Sequence, residues 1–244
     1  MRTLLLLALA ACSEQSRANT DPDQPGPPRP VQLDRPAVVQ FHMRTHLDDL
    51  RTIERHLIAG KLEEAQATAF LLTKPAKDPG LQPWQAQMDR VVSEAKGLGE
   101  AKSIDDGCRR VARVAEACAE CHIKTQTTPV FPEATPPPGD DGSPLARMAR
   151  HQWAVDRLWE GMVAGTDQPW VSGLEILASS PLPFTPLTDA PALAARLEQL
   201  ANDALARHRD QSETLDSRTQ TYGEMLVTCS ACHSSLQASP VARR

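Results

Sequence analysis

Residues 43–60 read MRTHLDDLRTIERHLIAG, and residues 148–165 read MARHQWAVDRLWEGMVAG. A shift of 105 residues lays Met43 on Met148, His46 on His151, Leu50 on Val155, Ile53 on Leu158 and Leu57 on Met162. Ala59-Gly60 falls on Ala164-Gly165, and further on Ala69 meets Leu174 and Leu72 meets Leu177. His46, Leu50, Ile53 and Leu57, and likewise His151, Val155, Leu158 and Met162, keep i, i+4, i+7, i+11 spacing, which is one face of an α-helix. The glycine that ends each stretch is a natural helix stop. A fixed period of this kind marks an internal duplication.

Outward from this stretch, each copy reads as four helices. In the first unit they run over about 37–59, 61–74, 83–99 and 103–126, and in the second over about 145–164, 167–179, 190–207 and 211–237. Ser103 with Asp106 reads as a capping start for the fourth helix. Nothing alternates at period two. Aromatic residues are only 4% of the chain, and Leu, Ala and Val supply most of the apolar mass, which suits helices better than sheets. Short connections between helices favour an up-down-up-down bundle. The expected fold is all-α, two tandem four-helix bundles.

Each fourth helix ends in the same pentapeptide pattern: Cys118-Ala-Glu-Cys121-His122 and Cys229-Ser-Ala-Cys232-His233. Cys-x-x-Cys-His is the attachment signature of c-type haem. The two cysteines form thioethers with the haem vinyl groups, and the histidine reaches the iron as proximal ligand. Two copies, each closing a repeat, predict two covalently attached haem c groups. The motifs align at a shift of 111 rather than 105. The second unit therefore carries about six extra residues, and Pro181-Leu182-Pro183-Phe184-Thr185-Pro186 is where they are expected.

Residues 13–36 are polar and Pro-rich, a composition that cannot pack a core and reads as a tether. A second break, residues 128–143, includes Pro136-Pro137-Pro138-Gly139-Asp140-Asp141-Gly142 and reads as a linker. The expected domains are thus 37–127 and 144–238, with a tail at 239–244. Residues 1–12 hold a short apolar run, Leu4 to Ala11, then Cys12. The run is too short to span a bilayer and reads as the core of a secretion signal. Leu9-Ala10-Ala11-Cys12 resembles the bacterial lipoprotein cleavage box, which would make Cys12 a lipidated membrane tether. The competing reading is an ordinary cleaved signal with an incidental cysteine. The expected location is the periplasmic side of a bacterial membrane, the outer membrane favoured over the inner by Ser13. Export follows independently from the motifs, because c-type haem is attached outside the bacterial cytoplasm.

Six cysteines less four for haem and one for lipid leave Cys108, which reads as a small buried hydrophobe. The formal charge is −5 and no basic tract stands out, so nothing points to nucleic acid. A negative protein suits a basic partner.

In a four-helix bundle the first and fourth helices are antiparallel neighbours. Met43 and His46 lie about 6–14 Å from the bundle end where Cys118, Cys121 and His122 sit. A haem on that motif would show its distal face to Met43 or His46, and a haem on the second motif would face Met148 or His151. Histidine is the stronger ligand and falls on the apolar stripe, where an unpartnered polar group would be costly. His46 and His151 are the preferred distal ligands, and Met43 and Met148 are the alternatives. His42, His56 and His208 read as solvated. Trp153, Trp159 and Trp170 read as packing within the second unit. The fourth helix of unit one ends at its haem end, and the linker leads on toward the haem end of unit two. The two haems are therefore expected to face one another across the linker.

A bundle whose haem motif closes its last helix resembles the class II cytochromes c, the cytochrome c′ group, and each unit resembles one such domain. Class I cytochromes place the motif near the N-terminus and take a distal Met from downstream, but residues 234–244 contain neither Met nor His. The resemblance implies haem held within each bundle. It also implies an open, five-coordinate iron in cytochrome c′ itself, or a distal Met from the first helix in its relatives. The aromatic-basic pair common after the family's motif is missing: the tails here are Ile123-Lys124-Thr125 and Ser234-Ser235-Leu236.

The leading functional expectation is a dihaem cytochrome, not an enzyme. It carries electrons between redox proteins, such as a membrane complex and a soluble carrier, with both irons six-coordinate. The alternative is binding or sensing of NO or CO at an open distal site. A dihaem peroxidase is disfavoured, since no distal acid–base pair repeats. A thiol oxidoreductase is disfavoured because both motifs end in histidine on long helices without a βαβ context.

Overall fold

The computed structural model describes residues 35–74, 84–132, 135, 137–179 and 190–238, and among these it holds eight α-helices and no strand. They are α1 Arg35–Ile58, α2 Leu62–Leu72, α3 Gln85–Gly99, α4 Ile104–Thr125, α5 Pro144–Ala164, α6 Asp167–Ser179, α7 Ala190–Arg209 and α8 Leu215–Ala238. The all-α expectation holds, and the helix ends fall within a few residues of those read from the pattern. The signal-like run, Cys12, the tether as far as Asp34, the segment 181–186 and the tail at 239–244 lie outside the described residues. No described helix is long and apolar enough to cross a membrane.

Local chemistry sets the boundaries. The Ser103 hydroxyl accepts the Asp106 N–H at 3.1 Å, while the Asp106 carboxylate accepts the Lys102 N–H at 3.2 Å, closing the start of α4 from both sides. Ser143 caps α5 through the Ala146 N–H, with Pro144 in the first turn. Gly60 (φ 74°) and Gly165 (φ 65°) end α1 and α5 in the left-handed region that glycine enters without strain.

The second half of the stripe that carried the sequence reading is buried: Leu50, Ile53 and Leu57 in α1, and Leu158 and Met162 in α5, expose 1% or less. Within each run of four, consecutive helices pack on one another. α5 and α6 come closest. A Cβ on Gly161 would lie 2.7 Å from the Trp170 backbone nitrogen, and one on Gly173 would lie 2.7 Å from the Ala154 carbonyl oxygen.

The two runs also pack on each other, and their buried apolar residues form one continuous cluster. α4 lies antiparallel along α8. Gly223 sits on Arg109 and Ala112, and Arg109 Nε binds Glu224 Oε1 at 2.7 Å. Nearer the start of α8, Asp216 acts on Glu116, and nearer its end Cys229 acts on Cys108. Ala112 and Gly223 are counterparts under the 111-residue shift. So are Arg51 and Asp156 under the 105-residue shift, and these form an ion pair at 2.9 Å. Residues meeting their own counterparts are what a two-fold relation between the units produces.

This packing corrects the expected placement of the two motifs. His122 lies ten residues beyond Ala112, and His233 ten beyond Gly223, in opposite directions. At 1.5 Å per residue the two histidines stand roughly 30 Å apart along the helix pair. The reason lies in the linker, which runs beside α5 and so carries the chain from the His122 end of the helix pair to the His233 end. Trp153 Nε1 donates to the Thr135 carbonyl at 2.8 Å, Arg150 to the Pro138 carbonyl at 2.7 Å, and Arg147 pairs with Asp140 at 3.5 Å.

At the junction of α1, α5 and α8, the Tyr222 hydroxyl donates to the buried Glu54 carboxylate. Arg51 bonds the same carboxylate at 3.4 Å and lies over the Trp159 ring. Burial raises the Glu54 pKa above its ordinary 4.5, with Arg51 and the Tyr222 bond opposing. The folded chain thus holds this proton more tightly than the unfolded chain, and stability falls as pH rises above about 4.5. Glu54→Gln keeps the bond from Tyr222 and removes the buried charge. Thermal melts of the two chains should coincide near pH 4 and separate toward pH 8, with the Gln variant higher. A native chain that melts higher at pH 8 would show that the Arg51 pair outweighs the desolvation.

Candidate cofactor sites at the two motifs

In the second unit, α8 turns Cys229, Cys232 and His233 toward α5 and α7. Met148 and His151 of α5 stand opposite, with Leu193 and Leu197 of α7 closing one wall of a cavity of about 100 Å3. His151 is 8% exposed and Met148 37%, so the histidine reaches further into the interior. A more polar depression of about 490 Å3, bordered by Arg51, Arg55 and Asp156, shares Ile58, Gln152, Val155 and His233 with this cavity. His233 stands where the two spaces join. Burial lowers its pKa and favours the neutral imidazole.

In the first unit, Cys118, Cys121 and His122 lie in the last two turns of α4 and are half-buried. His122 Nδ1 lies 2.8 Å from the backbone oxygen of Val163, in the last turn of α5. A carbonyl can only accept, so Nδ1 carries the proton and Nε2 is left with its lone pair. Burial lowers the His122 pKa, with the Val163 bond opposing. The contact continues past the histidine: a Cβ on Gly165 would come within 2.7 Å of Ile123 Cδ1.

The distal candidates of this unit follow from register. A Cβ on Gly107 of α4 would touch Leu57 of α1 at 2.7 Å. Eleven residues back along α1 is His46, and eleven on along α4 is Cys118. His46 is therefore level with Cys118, and Met43 with Cys121, as His151 and Met148 are beside Cys229 and Cys232. His42 is not on a solvated face: its ring lies 4.1 Å from that of His46, centroid to centroid, and both are half-buried. Burial, with His42 beside it, brings the His46 pKa down to about 4, so its imidazole is neutral at ordinary pH. His208 is also partnered, at 3.3 Å from Glu213.

The thiols are poor nucleophiles. Burial pushes Cys118 and Cys229 up to about 12 and raises Cys121 and Cys232. A thiol redox centre needs a lowered pKa. Cys108 is fully buried between α4 and α8, and its pKa is likewise pushed up to about 12, chiefly by burial. Among the described residues no three His, Cys, Asp or Glu side chains converge on one point, so side chains alone offer no cage for a bare ion.

Sequence reasoning did not find the Val163 carbonyl, which carries no side-chain signature, or the Glu54–Tyr222 pair. A lone Glu on the apolar stripe of α1 was the available signal for that pair. Trp159 and Trp170 are fully buried, as read, while Trp153 lies half-exposed under the linker. Comparison with protein-family models, with curated proteins and with solved structures finds no match to this chain.

Proposed function

We propose that this chain is a dihaem c-type cytochrome that carries electrons outside the cytoplasm, each haem attached at the end of the fourth helix of a four-helix bundle. The observation that carries the reading is the state of the motif histidines. Both are held toward the neutral form, and His122 has Nδ1 tied to a carbonyl with Nε2 bare, the arrangement an iron-ligating imidazole needs. The haem, when bound, supplies an iron that takes up and returns one electron.

The chain's own residues do the rest. Cys118 and Cys121, and likewise Cys229 and Cys232, present two sulfurs one helical turn apart, the spacing that thioether attachment requires. Leu193 and Leu197 give the second site an apolar wall, and the adjoining depression holds Arg51 and Arg55, which would suit the haem carboxylates. His151 is the favoured distal ligand there, because it is the buried one of the pair, and His46 is favoured in the first unit because it is kept neutral. Met148 and Met43 stand as the alternatives. The redox partners carry complementary basic surface, since the chain is acidic overall.

The test is the full chain produced with a bacterial haem-attachment system. Two haems should survive denaturing electrophoresis, and the reduced spectrum should show sharp low-spin bands that CO does not move. A chain without covalent haem overturns the proposal. A high-spin spectrum shifted by CO would replace electron transfer with binding of NO or CO.

A further inference from the structure

α5 is a component of both sites. Its first half carries Met148 and His151 beside Cys229 and Cys232 of its own unit. Its last turn, twelve residues on and about 18 Å away, offers the Val163 carbonyl to His122 of the other unit. The last four carbonyls of a helix have no partner within it, so this acceptor costs α5 no internal bond. Gly165 lets the contact form. Its left-handed φ of 65° turns the chain away, and the missing Cβ admits Ile123.

The same meeting recurs at the other end of the molecule. A Cβ on Gly60, the counterpart of Gly165, would lie 3.3 Å from Ser234 Oγ, and Ser234 is the counterpart of Ile123. Ile58, the counterpart of Val163, lines the cavities that His233 lines. Each first helix thus runs from the distal side of its own motif to the histidine of the other motif.

We infer that the Val163 backbone carbonyl, contributed by the second unit, is the positioning group for the first haem's proximal histidine. The site at Cys118–His122 is therefore incomplete without α5. This rests on the dihaem reading. A carbonyl accepting from Nδ1–H gives the imidazole more anionic character and stabilises the oxidised iron. Weakening that acceptor should raise the reduction potential of this haem and leave the other unchanged.

The test is an amide-to-ester replacement at the 163–164 bond in the full, haem-loaded chain, with an α-hydroxy acid in place of Ala164. The ester carbonyl is a weaker acceptor, and the side chains are unchanged. The potential belonging to the first haem is assigned as the one lost when Cys118 and Cys121 are both replaced by serine. It should rise in the ester, and the His122 Nδ1 proton resonance should move, while the second potential stays. A second variant uses ordinary residues. Gly165→Ala forces the two helix ends apart and should move the same potential the same way, and adding Ile123→Ala should reverse most of that shift. Two attached haems with both potentials and the Nδ1 resonance unmoved would overturn the assignment and leave the dihaem reading intact. A chain that takes up no haem would overturn both.

Discussion

His151→Ala should convert a chain whose spectrum ignores CO into one that binds one CO per two haems. On the dihaem reading, His151 is the interior member of the pair that α5 sets opposite Cys229 and Cys232, 8% exposed against 37% for Met148. Removing the imidazole leaves a gap beside apolar walls from Leu193 and Leu197. Such a gap stays open to a small diatomic ligand. About half of the low-spin signal should be lost, with a matching high-spin component, and the reduced protein should show a CO difference spectrum worth one haem. Met148→Ala is the informative control. Its side chain stands nearer the surface, and its loss should leave the spectrum unchanged. The opposite pattern, with CO binding after Met148→Ala and none after His151→Ala, would reassign the distal ligand to methionine. His46→Ala should act on the other haem independently, because the two sites lie at opposite ends of the α4–α8 pair.

How far these sites could be read in advance depends on what each residue signals. The helices were legible because their determinants are local: the apolar stripe of 43–60, the Ser103 and Ser143 caps, the glycine stops at 60 and 165. The Cys-x-x-Cys-His pattern fixes its own residues without any knowledge of the fold. The pairing of α4 with α8 was only half legible. α4 buries Cys108, Val111, Ala112, Val114, Ala115, Ala117 and Ala119, too many positions for one face. A helix apolar on more than one side has more than one neighbour, but composition does not say which. The linker misled for a physical reason. A Pro-rich segment looks like a spacer by composition, yet its backbone carbonyls at Thr135 and Pro138 bind Trp153 and Arg150 and lay it along α5. Backbone acceptors leave no mark in a sequence, and the Val163 carbonyl at His122 escaped for the same reason.

Gly161→Ala should be among the most destabilising single-methyl additions in the chain, at about 2–4 kcal/mol. Alanine gains roughly 1 kcal/mol over glycine inside a helix, so a stabilised protein would be the outcome if space were available. Here it is not. The new Cβ would lie 2.7 Å from the Trp170 backbone nitrogen and 2.8 Å from its Cα. Backbone cannot swing aside as a side-chain tip can, so α5 and α6 would have to separate. Their separation disturbs the fully buried Trp170, whose indole donates to Glu213 at 2.8 Å. Gly97→Ala supplies the contrast, since its Cβ would meet only the end of the Arg110 side chain, at 2.8 Å. Arg110 can turn away, and that variant should be neutral or gain up to about 1 kcal/mol. Urea unfolding of both variants decides the matter through their midpoints. Equal midpoints would mean that α5 and α6 are not in backbone contact at Gly161. The expected split would mean that α5 and α6 meet backbone to backbone at Gly161, with no room for a methyl group between them.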